Sequence, residues 1–543
     1  MRLRGKAVTR ACALFAGVAM VAAACGGSDG DEVSSEDTID QSVNEALNEQ
    51  LNETDDTDVE TTEAAAPAGD EPTSMEEWEA LWETERAAMV ERIKSEGWGV
   101  DAAGTKLSGP EGFEIDLSAC PAGWDNTEGL TDSDIKIGQT LALSGTLADY
   151  GNYGQSIDAL MKYYSDKGMF KDAEAGVTRK VNYIQKDDGY DPTRTIPLVA
   201  ELLDSEKVFA LWTLGTPSTM KTYDDVNARC VPQILSMTGH PAWGDPINHP
   251  WTTGAPVPSY TTETQLWGTF IEQRLDEFPA DRKIVVAALV MNNDFGKVYD
   301  AGFRTFLSQS AALKDRVDFV TETIEPAAPT IKDPMTTLAS KKPDIFIAMT
   351  AGTSCTQAVV EVAENGMKEE VAYLFQPLTC TGVSFINKEK VGGDGSASDG
   401  WWIFNPGVKD IKDVTIADDP WIEFIRGLIE ERGLDPDSSS SLGAGFIYGW
   451  PMVQALIVAG QLDGGLTRAN LLLAHRSMDM TPPTHLWGLR SKLDGNKDSF
   501  IIEGGKFAQF DAAEQRWIDQ TDLINLEGKS QNCAWDQSVS ICK

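Results

Sequence analysis

Short apolar runs alternate with helical patterns, twice over, and this alternation constrains the chain more than any other feature of its sequence. In the first series an apolar run at 135–137 precedes a helical pattern over about 151–167, a run at 181–185 one over about 193–203, and a run at 208–214 one over about 220–228; residues 232–235 close the series. After a helical pattern over about 261–278 the alternation restarts with KIVVAALV (283–290), a helix from about Gly296, a run at 318–320, DIFIAM (344–349), a helix over about 354–365 and VAYLF (371–375). Short apolar strands separated by helices predict parallel sheets covered on both faces, and two series predict two α/β lobes rather than one oversized sheet. Further helices are expected at 420–433 and 443–462, before a strand-rich tail through Trp517. The second of these is apolar nearly all round and interrupted by Gly449 and Pro451, so it reads as a buried helix and not a membrane span.

The amino terminus reads as an export signal. Arg2, Arg4, Lys6 and Arg10 precede an apolar stretch at 11–24, shorter than the roughly 20 residues that span a membrane. VAAAC (21–25) resembles a bacterial lipobox, so 1–24 is expected to be a lipoprotein signal peptide and Cys25 the lipidated mature terminus. Residues 26–72 hold no Lys, Arg or aromatic side chain; such a run cannot bury enough apolar surface to offset its ordering entropy, and 25–73 is expected to be an acidic, disordered tether. In 74–100, Trp78, Leu81, Trp82, Met89, Ile93 and Trp98 fall at mostly helical spacing, which predicts a helix docked by one stripe within a helical extension over 74–131.

With 45 Lys plus Arg against 85 Asp plus Glu, the formal charge is −40, which argues against a nucleic-acid partner. Six cysteines follow Cys25, an even number that on an exported chain favours disulfides, although six allow 15 pairings. Cys355 and Cys380 flank one helical stretch and its following strand, Cys533 and Cys542 lie close together, and Cys120 with Cys230 follows by elimination. No CxxC occurs, and His240, His249, His475 and His485 show no ligand spacing, so no metal is expected.

In open parallel sheets ligands bind beyond the carboxyl ends of the strands. The loop after the first run, with Ser144, Gly145 and Tyr150, sits at such a place; so do GTPST (215–219), which brings Thr216 and Ser218 to a helix start, and SMTGHPAW (236–243). None contains G-x-G-x-x-G or G-x-x-x-x-G-K-[ST], so no dinucleotide or nucleoside triphosphate has a cradle and no cofactor is expected. No nucleophile can be assembled with a base and an orienting partner, and Asp187 and Asp188 read as strand-end polar residues rather than an acid/base pair. Holding a solute, not enzymatic chemistry, is the simpler inference. A surface hydrolase would need a reactive serine or cysteine.

The segments IKIGQTLALSGTLADYGNYG (135–154), QKDDGYDPTRTIPLVAELLDSEKVFAL (185–211), GTPST, MNNDFGKVYDAGF (291–303) and KKPDIFIAMTAG (341–352), in that order, resemble type I periplasmic binding proteins of the leucine/isoleucine/valine-binding group. The resemblance runs from about Asp132 to about Trp517. It implies two Rossmann-like lobes joined by three crossings, near Thr253, Trp402 and Pro482, with lobe 1 at 132–254 and 403–481 and lobe 2 at 255–402 and 482–543. It implies a ligand enclosed by hinge closure and delivered to an ABC transporter permease, on the extracytoplasmic side of the cell membrane. A sensory lipoprotein of the same fold, reporting to a membrane partner, is the alternative. By position, Thr216 and Met237, Thr238 and Gly239 would hold a ligand carboxylate, Tyr150 would cover it, and the Phe295 loop and the loop after Met349 would contribute from the second lobe. The resulting set is Ser144, Tyr150, Thr216, Ser218, Met237, Thr238, Gly239, Asp294, Phe295, Thr350 and Gly352. Amino-acid binders of this group place an acid after the strand corresponding to 344–349, where this chain reads TAGTSCTQ (350–357). Enclosing an ammonium without a charged partner costs several kcal/mol, so either an acid enters from elsewhere or the guest is not an ordinary α-amino acid. The expected solute is small and amphipathic: a branched-chain amino acid, an amide or a related carboxylate.

Overall fold

The computed structural model describes residues 41–52 and 69–542. The expected signal peptide, Cys25 and most of the acidic stretch lie outside the described residues. Strands Asp134–Leu141, Lys180–Asp187 and Ala210–Thr213 form a parallel sheet with the first in the middle. Ile135, Ile137 and Leu141 are fully buried in it, and helices Asn152–Asp166 and Pro192–Glu201 follow the first two strands. The strand expected at 232–235 does not form. Leu235 adopts a positive φ of 60°, incompatible with a strand, and only isolated bridges from Leu214 to Met237 and from Gln233 to Thr252 remain.

The second sheet is larger. Five parallel strands run in the order Val317–Ile324, Ile284–Met291, Ile345–Met349, Tyr373–Gln376 and Trp402–Asn405. Gly504–Asp511 and Arg516–Asp519 extend it in antiparallel fashion. Between the two sheets the chain passes through 252–259, 406–409 and 481–486, and these connections are bonded to one another. Lys409 N donates to Thr484 O at 2.9 Å and Leu486 N to Gly407 O at 2.7 Å, while the buried His485 places Nε2 3.0 Å from Pro256 O.

The apolar helix Phe446–Ala459 is buried along its whole length and packs on Asn152–Asp166. It is long and apolar enough, with the preceding turn, to cross a membrane, but its surroundings are those of a core helix. Helix Met75–Ser95 is capped by Ser74, which accepts from Glu77 N at 3.2 Å, and buries Trp78, Trp82, Met89 and Ile93 against the body. Within the stretch read as a tether, Gln41–Asn52 is helical. Val43, Ala46 and Leu47, at i, i+3 and i+4, are buried and the helix packs against Tyr260–Glu272; three aliphatic side chains on one stripe supply the anchor that the acidic composition conceals. The disulfides pair Cys120 with Cys230, Cys355 with Cys380 and Cys533 with Cys542, as the sequence suggests.

Candidate functional site

Backbone geometry builds the first wall of the site. Strand Ala210–Thr213 runs into Gly215, whose φ of 94° turns the chain into helix Thr216–Met220. A side chain at Gly215 would meet the Tyr190 ring at 2.2 Å, so the turn and the ring's approach both require glycine. Gly215 N donates to Met237 O at 3.1 Å, and Tyr260 N to Gly239 O at 2.8 Å, which brings the 236–239 segment beside the helix start. There the Thr216 and Thr238 hydroxyls are 2.7 Å apart, and the Tyr260 hydroxyl hydrogen-bonds with both side chains.

The second wall comes from Phe295, Ala351 and the 378–385 segment; the 406–410 connection and the helical stretch at 440–448, which packs on Asn152–Asp166 beside the first sheet, complete the lining. Together they line a partly open cavity of about 120 Å³. Rings dominate it. Tyr150 lies 5.5 Å from Phe385 and 5.6 Å from Tyr153, Tyr153 lies 5.8 Å from Tyr448, and Tyr260 meets Phe295 edge-on at 5.3 Å. Burial pushes the Tyr150, Tyr153 and Tyr448 hydroxyls well above the usual phenol range, so all three stay protonated donors. Two charged residues line the cavity, Lys409 and Asp410. The Lys409 ammonium is bound elsewhere, 2.7 Å from Glu71 and 2.6 Å from Asp419.

The seam between the walls is shut. Tyr150 Oη donates to Thr379 O at 2.9 Å and accepts from Gly352 N at 3.0 Å. Thr353 N donates to Thr146 O at 3.1 Å. Gly352 has a φ of 62°, and a Cβ there would lie 2.7 Å from Thr146 O, so only glycine lets the two loops meet this closely. Tyr150→Phe removes both bonds made by the hydroxyl while keeping the ring. Neutral hydrogen bonds are worth about 0.5–1.5 kcal/mol each, so the variant is expected to bind a stabilising solute roughly 5- to 150-fold more weakly in calorimetric titration. An unchanged affinity would mean that these bonds do not hold the closed form.

Of the residues chosen from sequence, Tyr150, Thr216, Met237, Thr238, Gly239 and Phe295 line the cavity. Ser144, Ser218, Asp294, Thr350 and Gly352 do not. Ser144 Oγ is exposed and donates to Asp187 at 2.8 Å. Ser218 faces inward, 2.7 Å from Thr195 Oγ1 and beside the buried Asp188. Asp294 is half-buried and accepts from the Gln537 amide at 3.3 Å. Thr350 is fully buried, its carbonyl accepting from Thr379 Oγ1 at 3.2 Å. Gly352 belongs to the seam. Sequence reasoning missed Tyr153, Tyr190, Tyr260, Phe385, Asp410 and Tyr448; only Tyr190, placed just after the second strand, carried a positional signal.

Residues 134–386 match the model of a family described as periplasmic binding protein. The fold is that of the type I periplasmic binding proteins. A fatty acid ABC transporter substrate-binding protein from Thermomonospora curvata superposes with a TM-score of 0.60 at 17% identity, over 76% of this chain and 98% of its own. A branched chain amino acid ABC transporter protein from Thermus thermophilus with bound valine gives 0.59 at 14%, over 74% and 98%. A solute binding protein of an ABC transporter from Rhodopseudomonas palustris BisB5 in complex with 3,4-dihydroxy benzoic acid gives 0.56 at 18%, over 74% and 100%. No curated protein matches the chain. At these identities the likeness carries the fold and not the guest. In periplasmic binding protein terms, the closed seam and the cavity beneath it occupy the cleft between the lobes.

Proposed function

We propose that this chain is an extracytoplasmic solute-binding protein, anchored through a lipid on Cys25, that captures a small amphipathic solute by lobe closure and delivers it unaltered to an ABC importer. The observation that carries this reading is the aromatic cavity between two sheets whose seam is bridged by hydrogen bonds. A dry cavity of roughly 150 Å³ holds benzene, so the comparable volume of about 120 Å³ suits a guest of about benzene-ring bulk. The hydroxyls of Thr216, Thr238 and Tyr260 and the nearby backbone offer neutral hydrogen bonds to a polar head, such as a carboxylate or an amide. Ligand contacts to both walls would shift the population toward the closed form.

Thermal-shift screening of branched-chain amino acids, amides and small carboxylates tests the reading. Stabilisation that rises with solute concentration, with the solute recovered chemically unchanged, is the expected result. A protein that no member stabilises, or that converts one into a product, would refute it.

A further inference from the structure

Of the two charged residues on the cavity wall, Asp410 is the one without an ion-pair partner among the described residues. It follows directly on the 406–409 connection, and its carboxylate is held on both oxygens: Val383 N donates to Oδ2 and Lys412 N to Oδ1, each at 2.9 Å, and the Ser440 side chain hydrogen-bonds to it as well. These bonds fix its position without exhausting it, because an ionised carboxylate offers about four acceptor sites. The neighbouring Lys409 does not neutralise it, since that ammonium is held by Glu71 and Asp419, and Asp410 makes no ion pair with any described residue. Its side chain keeps part of its surface open, as a wall residue must. It nevertheless sits deep enough that desolvation lifts its carboxyl above the usual range. A carboxylate enclosed without a counter-charge is costly, and a cation placed beside it removes most of that cost. Beyond Lys409 and Asp410 the cavity lining is uncharged, and the Tyr448 and Tyr153 hydroxyls have no hydrogen-bond partner among the described residues.

We infer that Asp410 is a specificity-determining residue that receives a cationic nitrogen of the guest, so that the solute is a small amine or zwitterion rather than a simple carboxylate. This rests on the solute-binding reading above and sharpens it. The acid comes from the connection between the lobes, not from the 350–357 loop, which carries none.

The test uses the full extracytoplasmic chain and three probes of shared skeleton, L-valine, isobutylamine and isovalerate, titrated by calorimetry against the native protein and against Asp410→Asn. Asparagine keeps the acceptor for one backbone N–H and removes the charge. A charge-assisted hydrogen bond is worth about 1.5–3 kcal/mol, so binding of the amine-bearing probes is expected to weaken roughly 10- to 100-fold in the variant, with isovalerate changed less than about threefold. Should the variant not fold, the native protein alone decides, because at least one amine-bearing probe must bind at least tenfold tighter than isovalerate. If isovalerate binds the native protein as well as the amines, or the variant weakens all probes equally, the proposal is overturned while solute binding stands. If no probe binds, the proposal is overturned, and failure of the wider solute screen would remove the solute-binding reading with it.

Discussion

Replacing Trp82 by alanine is expected to lower the unfolding free energy by about 3–5 kcal/mol, the range for removing a buried tryptophan from a packed core. Trp82 is fully buried on helix Met75–Ser95. It lies 5.5 Å from Trp78, 5.5 Å from Trp450 and 6.1 Å from Trp421, and its indole N–H donates to Thr481 O at 3.0 Å. Glu85, one turn along, accepts from Thr481 Oγ1 at 2.7 Å and from Arg490 at 3.2 Å. The helix is therefore fastened to the third connection between the sheets, and Glu71 just before it holds Lys409 on the second. Urea unfolding followed by tryptophan fluorescence checks this: the midpoint falls while the slope is kept. A loss under 1 kcal/mol would mean that the helix is not docked as described.

The second large effect depends on pH. Glu263, fully buried on helix Tyr260–Glu272, accepts from Tyr299 Oη at 2.6 Å and from Leu378 N at 2.7 Å. Burial, unrelieved by any cation, pushes its carboxyl up from 4.5 to about 8. Because the folded value is the higher one, the folded state binds the extra proton. The stabilisation is complete below about pH 4.5 and is lost as the pH rises through about 8. Glu263→Gln keeps the shape of the protonated acid and cannot ionise. The variant is expected to match the native protein near pH 5 and to exceed its stability above pH 8, by at most about 5 kcal/mol. Asp498 and Glu503, whose carboxyls are also raised by burial, act alike in both proteins and cancel in the difference. Parallel stability curves for the two proteins from pH 5 to 9 would contradict the assignment.

The parallel part of the second sheet was legible because strands buried on two faces must be apolar throughout, as 284–291 and 345–349 are. The strand-rich tail expected through Trp517 is present as Gly504–Asp511 and Arg516–Asp519, but its antiparallel pairing with Trp402–Asn405, about a hundred positions earlier, was not legible. The expected strand at 232–235 failed for a backbone reason, and helix Gln41–Asn52 was hidden by its charged neighbours. In the site, the loops that end the first-sheet strands gave up Tyr150 and Thr216, because their place in the topology dictates where they point. Ser218, two residues on from Thr216, turns instead toward Asp188. Tyr448 sits in a helix apolar on every side, and Asp410 just after a connection without pattern; no local rule distinguishes them, and only the folding of distant segments brings them to one cavity.

The central claim is that the two lobes clasp a solute between them. Spin labels at the exposed positions Lys221 and Lys332, one beside each sheet, allow the distance across the cleft to be measured by pulsed dipolar spectroscopy with and without a stabilising solute. The account predicts that saturating solute gathers a broad or longer distribution into a single short distance. A distribution that stays the same at saturation would contradict it.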